Sequence, residues 1–282
     1  MTWLRQTFEG SFVVALPQSM TISQAREIGA HMKLIDPRVE FAEPDVVVRA
    51  FTTTPVVRSP TPFSTTLSWD RGLNLTKAWA ISLGSDDVKV GVVDSGLAAH
   101  HLLSRVAPGY DFVPQIGESS VTDIGRDDDA RDPGDFTTAG DMSAANLGCP
   151  IADSTWHGSG VAGTIAADRD DRLGIAGVMQ RGFVVPLRAA WKCGAYLSDV
   201  VDAVLWGAGI SVPGAPENPN PVRVINISLG YNGECSKFES SAYQRVYDAG
   251  VTVIAAAGND AGDSMKIAPG NCPQCNHSRC ER

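Results

Sequence analysis

Three polar residues stand where apolar runs stop. Asp94 ends "VGVVD", Asn259 ends "VIAAAGN", and His157 opens the small-residue stretch "HGSGVAGTIAA". A carboxylate, an imidazole and a carboxamide are groups that can orient a neighbour, move a proton and donate a hydrogen bond. Each alone has a plainer reading, since an acid after an apolar strand commonly caps a helix or forms a turn. Their joint occurrence at strand ends favours chemistry. A second chemistry competes for the same stretch, because Gly158, Gly160 and Gly163 spell G-x-G-x-x-G, the spacing of a dinucleotide-binding turn. That turn needs a buried strand just before it and an acid about 20 residues after it. Neither "LGCPIADSTW" before it nor "VMQRGFVVPLR" after it supplies these, so a nucleotide-dependent oxidoreductase rests on glycine spacing alone. The small residues are better explained as letting a helix that carries His157 lie close against a sheet.

Such groups must be positioned by a scaffold. "VKVGVVD" (88–94), "FVVPLRA" (183–189), "VRVINISLG" (222–230) and "VTVIAAAGN" (251–259) are short β-branched runs of the kind buried on both faces of a parallel sheet. Helical candidates lie between them at 158–167, 197–209 and 237–250, the last two closed by glycines suited to a C-cap. The alternation predicts an α/β fold, a doubly wound, mostly parallel sheet with its site at the carboxyl ends of the strands. Ahead of it, residues 11–50 read as a small α+β unit. "SFVVALP" is a strand, "TISQAREIGAHMKL" a helix capped by Thr21 or Ser23, and "VEFAEPDVVVRAF" two extended segments. One helix on a few strands cannot build a deep core of its own. The Thr-, Pro- and Ser-rich stretch 52–68 reads as a linker that separates this unit from the rest.

Composition narrows the class further. The 282 residues are 43% hydrophobic and 20% charged, which suits a packed globular protein. A net charge of -9 without any Lys/Arg-rich run argues against nucleic acid as a partner, and no apolar run is long enough to span a membrane. The start "MTWLRQTFEG" lacks the order of a signal peptide, yet six cysteines suggest an oxidising compartment; the conflict implies a true N-terminus upstream.

In this order, "VGVVDSGL", "WHGSGVAGTIAA", "NISLG" and "VIAAAGND" resemble the Asp, His, substrate-strand and oxyanion-Asn segments of the subtilisin-like serine peptidases, the subtilase family. The resemblance is to the bacterial extracellular type made with an N-terminal propeptide. It covers roughly residues 69 to 272, and "VEFAEPD" resembles the end of the propeptide. Ser95 stands where the family usually has Thr, and Gly160 where it has a second His. The resemblance implies a partial inhibitor-like propeptide over 1–51, a linker over 52–68, a catalytic domain lacking its C-terminal part over 69–271 and an atypical tail over 272–282. It implies that His157 is the general base, Asp94 its orienting acid and Asn259 the oxyanion donor. Ser228, Leu229 and Gly230 would pair with an extended peptide and line the specificity pocket. No cofactor for catalysis is implied. The implied partners are protein or peptide substrates and the chain's own propeptide, and the implied location is secreted or periplasmic. The disulfide-bearing members suggest pairing Cys149 with Cys193 and Cys235 with Cys272, which leaves Cys275 and Cys280 over. A zinc knuckle of "CPQCNHSRC" with His277 is the alternative, but its spacing is too tight.

Two features remain. The acid-rich loop "GRDDDARDPGDF" is either a solvated turn or a structural calcium site, with Asp127, Asp129, Asp132 and Asp135 as the candidate ligands. The family's nucleophile lies in a Gly-Thr-Ser-Met-Ala-type segment, and no such segment occurs in the 282 residues. Ser264 in "GDSMKIAP" follows Asn259 too closely to replace it. The expectation is therefore a C-terminally truncated copy, inactive and poorly stable alone. Its rival is a non-catalytic subtilase-like peptide-binding module.

Overall fold

The structure, a computed structural model, describes residues 1–50, 75–114, 125–141, 149–169, 176–259 and 262–278. The strands are β1 (Thr2–Gln6), β2 (Phe12–Ala15), β3 (Val47–Ala50), β4 (Gly84–Asp94), β5 (Tyr110–Asp111), β6 (Arg181–Arg188), β7 (Ala195–Tyr196), β8 (Val224–Ile227), β9 (Leu229–Asn232), β10 (Thr252–Ala256), β11 (Ile267–Ala268) and β12 (Cys275–Ser278). The helices are α1 (Ile22–Ile35), α2 (Leu75–Ile81), α3 (His157–Ala166), α4 (Leu197–Gly207) and α5 (Lys237–Asp248).

Six strands form the main sheet in the order β12-β10-β8-β4-β6-β5, all parallel to their neighbours. Alternation along β4 and β6 sends side chains to two cores. Val93, Val185 and Leu187 join the cluster that includes α4 and α5, whereas Val92 and Val184 meet Ala162 and Ala166 of α3. Helices on both faces explain why the central stretches, 90–93 of β4 and 183–187 of β6, carry no polar side chain. The doubly wound α/β expectation holds.

The run 222–230 is not one strand. It leaves the parallel sheet after Ile227 and resumes at Leu229 in a second sheet of order β11-β9-β3-β7, whose pairs are all antiparallel. Periodicity cannot reveal such a step, because both pieces are extended backbone. The central strand of this second sheet is the surprise. β3 comes from the N-terminal unit, so that unit packs into the same sheet as β7, β9 and β11; the stretch 52–68, read as a linker, lies outside the described residues.

Within the N-terminal unit, β1 and β2 form an antiparallel pair, and Thr21, of the two candidate caps, opens α1 through a capping box with Gln24. Only Val47–Ala50 of the two extended segments expected in 39–51 is a strand. The preceding acids use their oxygens elsewhere. Glu43 accepts from the backbone N–H groups of Lys237 and Phe238 at the start of α5 (3.2 and 3.1 Å), and Asp45 accepts from the N–H and hydroxyl of Ser198 in the first turn of α4 (3.0 and 2.7 Å). Carboxylates there satisfy orphan donors and complement the helix dipoles.

Residues 272–278, within the stretch read as an atypical tail, are joined to the rest of the fold. Cys272 is bonded to Cys235, and Cys275–Ser278 pairs in parallel with β10. Cys149 is bonded to Cys193, as the resemblance implied, and Cys275 is free and buried. No helix among the described residues is long and apolar enough to cross a membrane.

Candidate active site

Asp94 is the last residue of β4, in the interior of the main sheet, and its carboxylate is buried. His157 is the first residue of α3, and its Nδ1 lies 2.9 Å from both carboxylate oxygens of Asp94. The two segments meet along several residues. Ser95 Oγ accepts from Gly158 N–H at 3.1 Å, and the N–H of Ala98 donates to Ser159 Oγ at 2.8 Å. Gly158 permits this closeness: a Cβ there would run into the carbonyl oxygen of Gly96 and press on Asp94 Cβ. Trp156, just before the helix, takes a left-handed conformation with φ 51°, which turns the chain sharply into α3.

The imidazole is 16% exposed and the carboxylate 1%. Burial presses the His157 pKa down, but the hydrogen bond and charge of Asp94, with the charge of Asp135 in addition, outweigh it and raise it above the ordinary histidine value. With Nδ1 turned to the carboxylate, Nε2 is the nitrogen left to exchange a proton. No described residue hydrogen-bonds it.

Strand register brings further groups to the same edge. Val93 is level with Ile227, and Ile227 with Ala255, so β4, β8 and β10 end together. Asn259 follows β10 by three residues, after a left-handed Gly258 (φ 86°), and is exposed. Ser228 is the step between β8 and β9, its Oγ 2.9 Å from the Asn226 amide. Leu229 and Gly230 are already occupied by an extended strand: Ala50 pairs with Leu229 and Arg49 with Gly230, antiparallel. On its other side β3 pairs with β7, Val48 opposite Ala195 and Val47 opposite Tyr196. Since β9 starts where β8 ends, beside the end of β4, the antiparallel β3 runs with its carboxyl end toward Asp94 and His157.

Residues 85–276 match the subtilase family. The chain belongs to that family. The curated relatives that this subtilase resembles include an extracellular protease of Xanthomonas campestris pv. campestris, 40% identical over 84% of the chain and 40% of the relative. An extracellular basic protease of Dichelobacter nodosus is 34% identical over 96% of the chain and 44% of the relative. A solved protease structure from Pseudoalteromonas arctica superposes with a TM-score of 0.70 at 39% identity, covering 78% of this chain and 64% of that one. The chain thus spans less than half of the two curated relatives. Subtilases use no catalytic cofactor.

Other residues singled out in this subtilase's sequence lie apart from one another. Asp129 forms an ion pair with Arg131, and Asp135 accepts from the Thr155 N–H and hydroxyl at 2.5 and 2.6 Å. Asp127 Oδ1 accepts from Asp129 N–H at 2.8 Å. Asp132 accepts from the Ser95 hydroxyl and Gly134 N–H, both at 2.8 Å. The four expected calcium ligands therefore do not converge on one point; each carboxylate serves its own neighbours in the loop or near β4. The one converging set of potential ligands among the described residues is Cys235, Glu239 and Cys272, and its cysteines are spent in a disulfide. That bond also removes Cys272 from any zinc knuckle. Ser264 opens a short 3-10 turn, and the Lys266 carbonyl two residues on accepts from Gly233 N–H, just past the far end of β9 from Leu229.

Sequence reading missed the groups that dock the N-terminal unit. Arg5 donates to Asp202 (2.5 Å), Asp199 (2.7 Å) and Ser198 (2.7 Å), and Arg126 reaches the same two acids at 2.5 and 2.8 Å. The signal was faint: Asp199 and Asp202 sit in a helix whose every residue is buried, where acids demand partners.

Proposed function

We propose that this subtilase is the acid–base and peptide-binding part of a secreted serine endopeptidase, with residues 1–51 acting as its propeptide. His157 takes the proton of a serine hydroxyl through Nε2 and returns it to the leaving amine. Asp94 holds the imidazole by Nδ1–H and stabilises its charged form. Asn259 donates its side-chain amide to the oxyanion, an effect of about 2.7–4 kcal/mol in the worked case, which is itself a subtilisin. Ser228, Leu229 and Gly230 hold the substrate backbone as an added strand. The observation that carries this reading is β3 itself, an extended peptide paired with Leu229 and Gly230 and running toward the Asp94–His157 pair. The relatives' extracellular character and the two disulfides support secretion.

The nucleophile is not among these 282 residues, so a polypeptide limited to them does not hydrolyse peptides and binds them at most. The test compares it with a longer product that carries a Gly-Thr-Ser-Met-Ala-type segment. Hydrolysis of a peptide substrate by the longer product only, abolished by His157→Ala, is the expected result. Turnover by the 282-residue polypeptide, or fluorophosphonate labelling of Ser264, overturns the assignment. Peptide binding without turnover by both products favours a non-catalytic peptide-binding module.

A further inference from the structure

We infer that Asp132 is a positioning residue for His157, acting through the Ser95 hydroxyl, which caps the His157 helix from just past the end of β4. Helix α3 opens without a side-chain cap of its own, because its N-cap residue is Trp156. An N-terminal turn in that state leaves backbone N–H groups unsatisfied. Ser95 supplies the missing acceptor by taking the Gly158 N–H. A serine hydroxyl has one proton and two lone pairs, so what it accepts depends on where its proton goes. Here the proton goes to Asp132 Oδ2 at 2.8 Å, which points a lone pair of Oγ at α3.

Asp132 is held for this task from several sides. Its Oδ1 accepts from Gly134 N–H, its own N–H donates to the Leu97 carbonyl at 3.1 Å, and the Ala130 carbonyl accepts from Leu97 N–H at 3.2 Å. Gly96, in a left-handed conformation with φ 93°, lets the two segments touch, since a Cβ would meet the Ala130 carbonyl and the Asp132 backbone nitrogen. Ser95 and Asp132 are both buried. The charged groups that bear on Asp132 are Asp135 and Arg188. Asp94 gains as well, because the Ser95 N–H donates to its Oδ1 at 2.8 Å. Residue 95 thus fixes the acid through its backbone and the base through its hydroxyl, and Asp132 sets the hydroxyl.

The inference rests on His157 being the base, but its test reads the geometry of the pair in the 282-residue chain and needs no turnover. Loss of peptidase activity in the longer product would sink the functional reading and leave these couplings standing. The measurements are Gly158 amide exchange and the His157 ring titration, both by NMR. The variants are Ser95→Ala, Ser95→Thr, Asp132→Ala and Asp132→Asn. Loss of a cap corresponds to about tenfold faster exchange. Ser95→Ala and Asp132→Ala should each accelerate Gly158 by that factor, leave the Ile225 amide unchanged and lower the His157 pKa. Ser95→Thr should restore both readouts, Asp132→Asn should fall between parent and Ala, and the double Ala variant should be no worse than Ser95→Ala. If Asp132→Ala fails to fold, Asp132→Asn carries the comparison. Parental values in Ser95→Ala, or additive effects of the two Ala substitutions, overturn the inference.

Discussion

Replacing Arg5 by Met removes one charge from a buried cluster while keeping most of the apolar stem. In the parent, Arg5 and Arg126 together face Asp199 and Asp202, whose side chains are 1% and 0% exposed, with Asp45 close by. Breaking a buried pair by removing one partner costs about 3–5 kcal/mol when the other charge is left alone. Arg126 still bonds both acids, so the expected loss falls below that scale, at about 2–3 kcal/mol at neutral or higher pH. Protonation sets a pH dependence. Burial raises the Asp199 pKa to about 6 despite the opposing charges of Arg5 and Arg126. Deleting Arg5 removes an interaction that lowers it, so it rises further. A carboxyl group with a folded pKa above its unfolded value gives stability that is present at low pH and is lost as pH rises through the folded value. The variant therefore trails the parent more at about pH 8 than at about pH 5. Urea unfolding at both pH values measures this, and exchange of the Val48 and Arg49 amides reports whether β3 leaves its slot. A loss below about 0.5 kcal/mol at the higher pH, the size of an exposed pair, would refute the reasoning, as would equal losses at both.

Three other outcomes are expected. Gly194→Ala should speed exchange at Val48 at least about tenfold, because Gly194 is left-handed (φ 127°) and a Cβ there would run into the Val48 carbonyl; parental protection would show that the strand can shift to make room. Asp94→Asn should lower the His157 pKa, since burial remains while the main group that raises it is lost and only the charge of Asp135 still opposes burial, and an NMR titration with a parental value would contradict that. The raised pKa of the parent also means that the pair stabilises the fold below about pH 6.5 and that this is lost as pH rises through the folded value, so the Asn variant should lose more stability at acid pH. Replacing Cys235 and Cys272 by Ser opens a bridge with a sequence separation of 37 and should cost about 2–4 kcal/mol in urea unfolding; an unchanged midpoint would show the bridge to be dispensable.

The parallel strands were legible because burial on both faces demands unbroken β-branched runs, and Val92 and Val93 meet that demand toward opposite cores. Asp94 and His157 were legible as polar residues at the ends of such elements. The acidic loop was not, because composition cannot tell whether carboxylates point at one centre or at separate donors; Asp132 points at Ser95 and Asp135 at Thr155.

Local pattern by itself determined the α/β class, the strand-end position of the acid and the base, and the subtilase segments that carry them. Tertiary structure alone decided that the N-terminal unit threads β3 between β7 and β9, that Arg5 answers two acids of α4, and that Ser95 and Asp132 link strand to helix. The reason is physical. Periodicity records which side of an element is buried, whereas these contacts join residues far apart in sequence and depend on which donor meets which acceptor once the elements have packed.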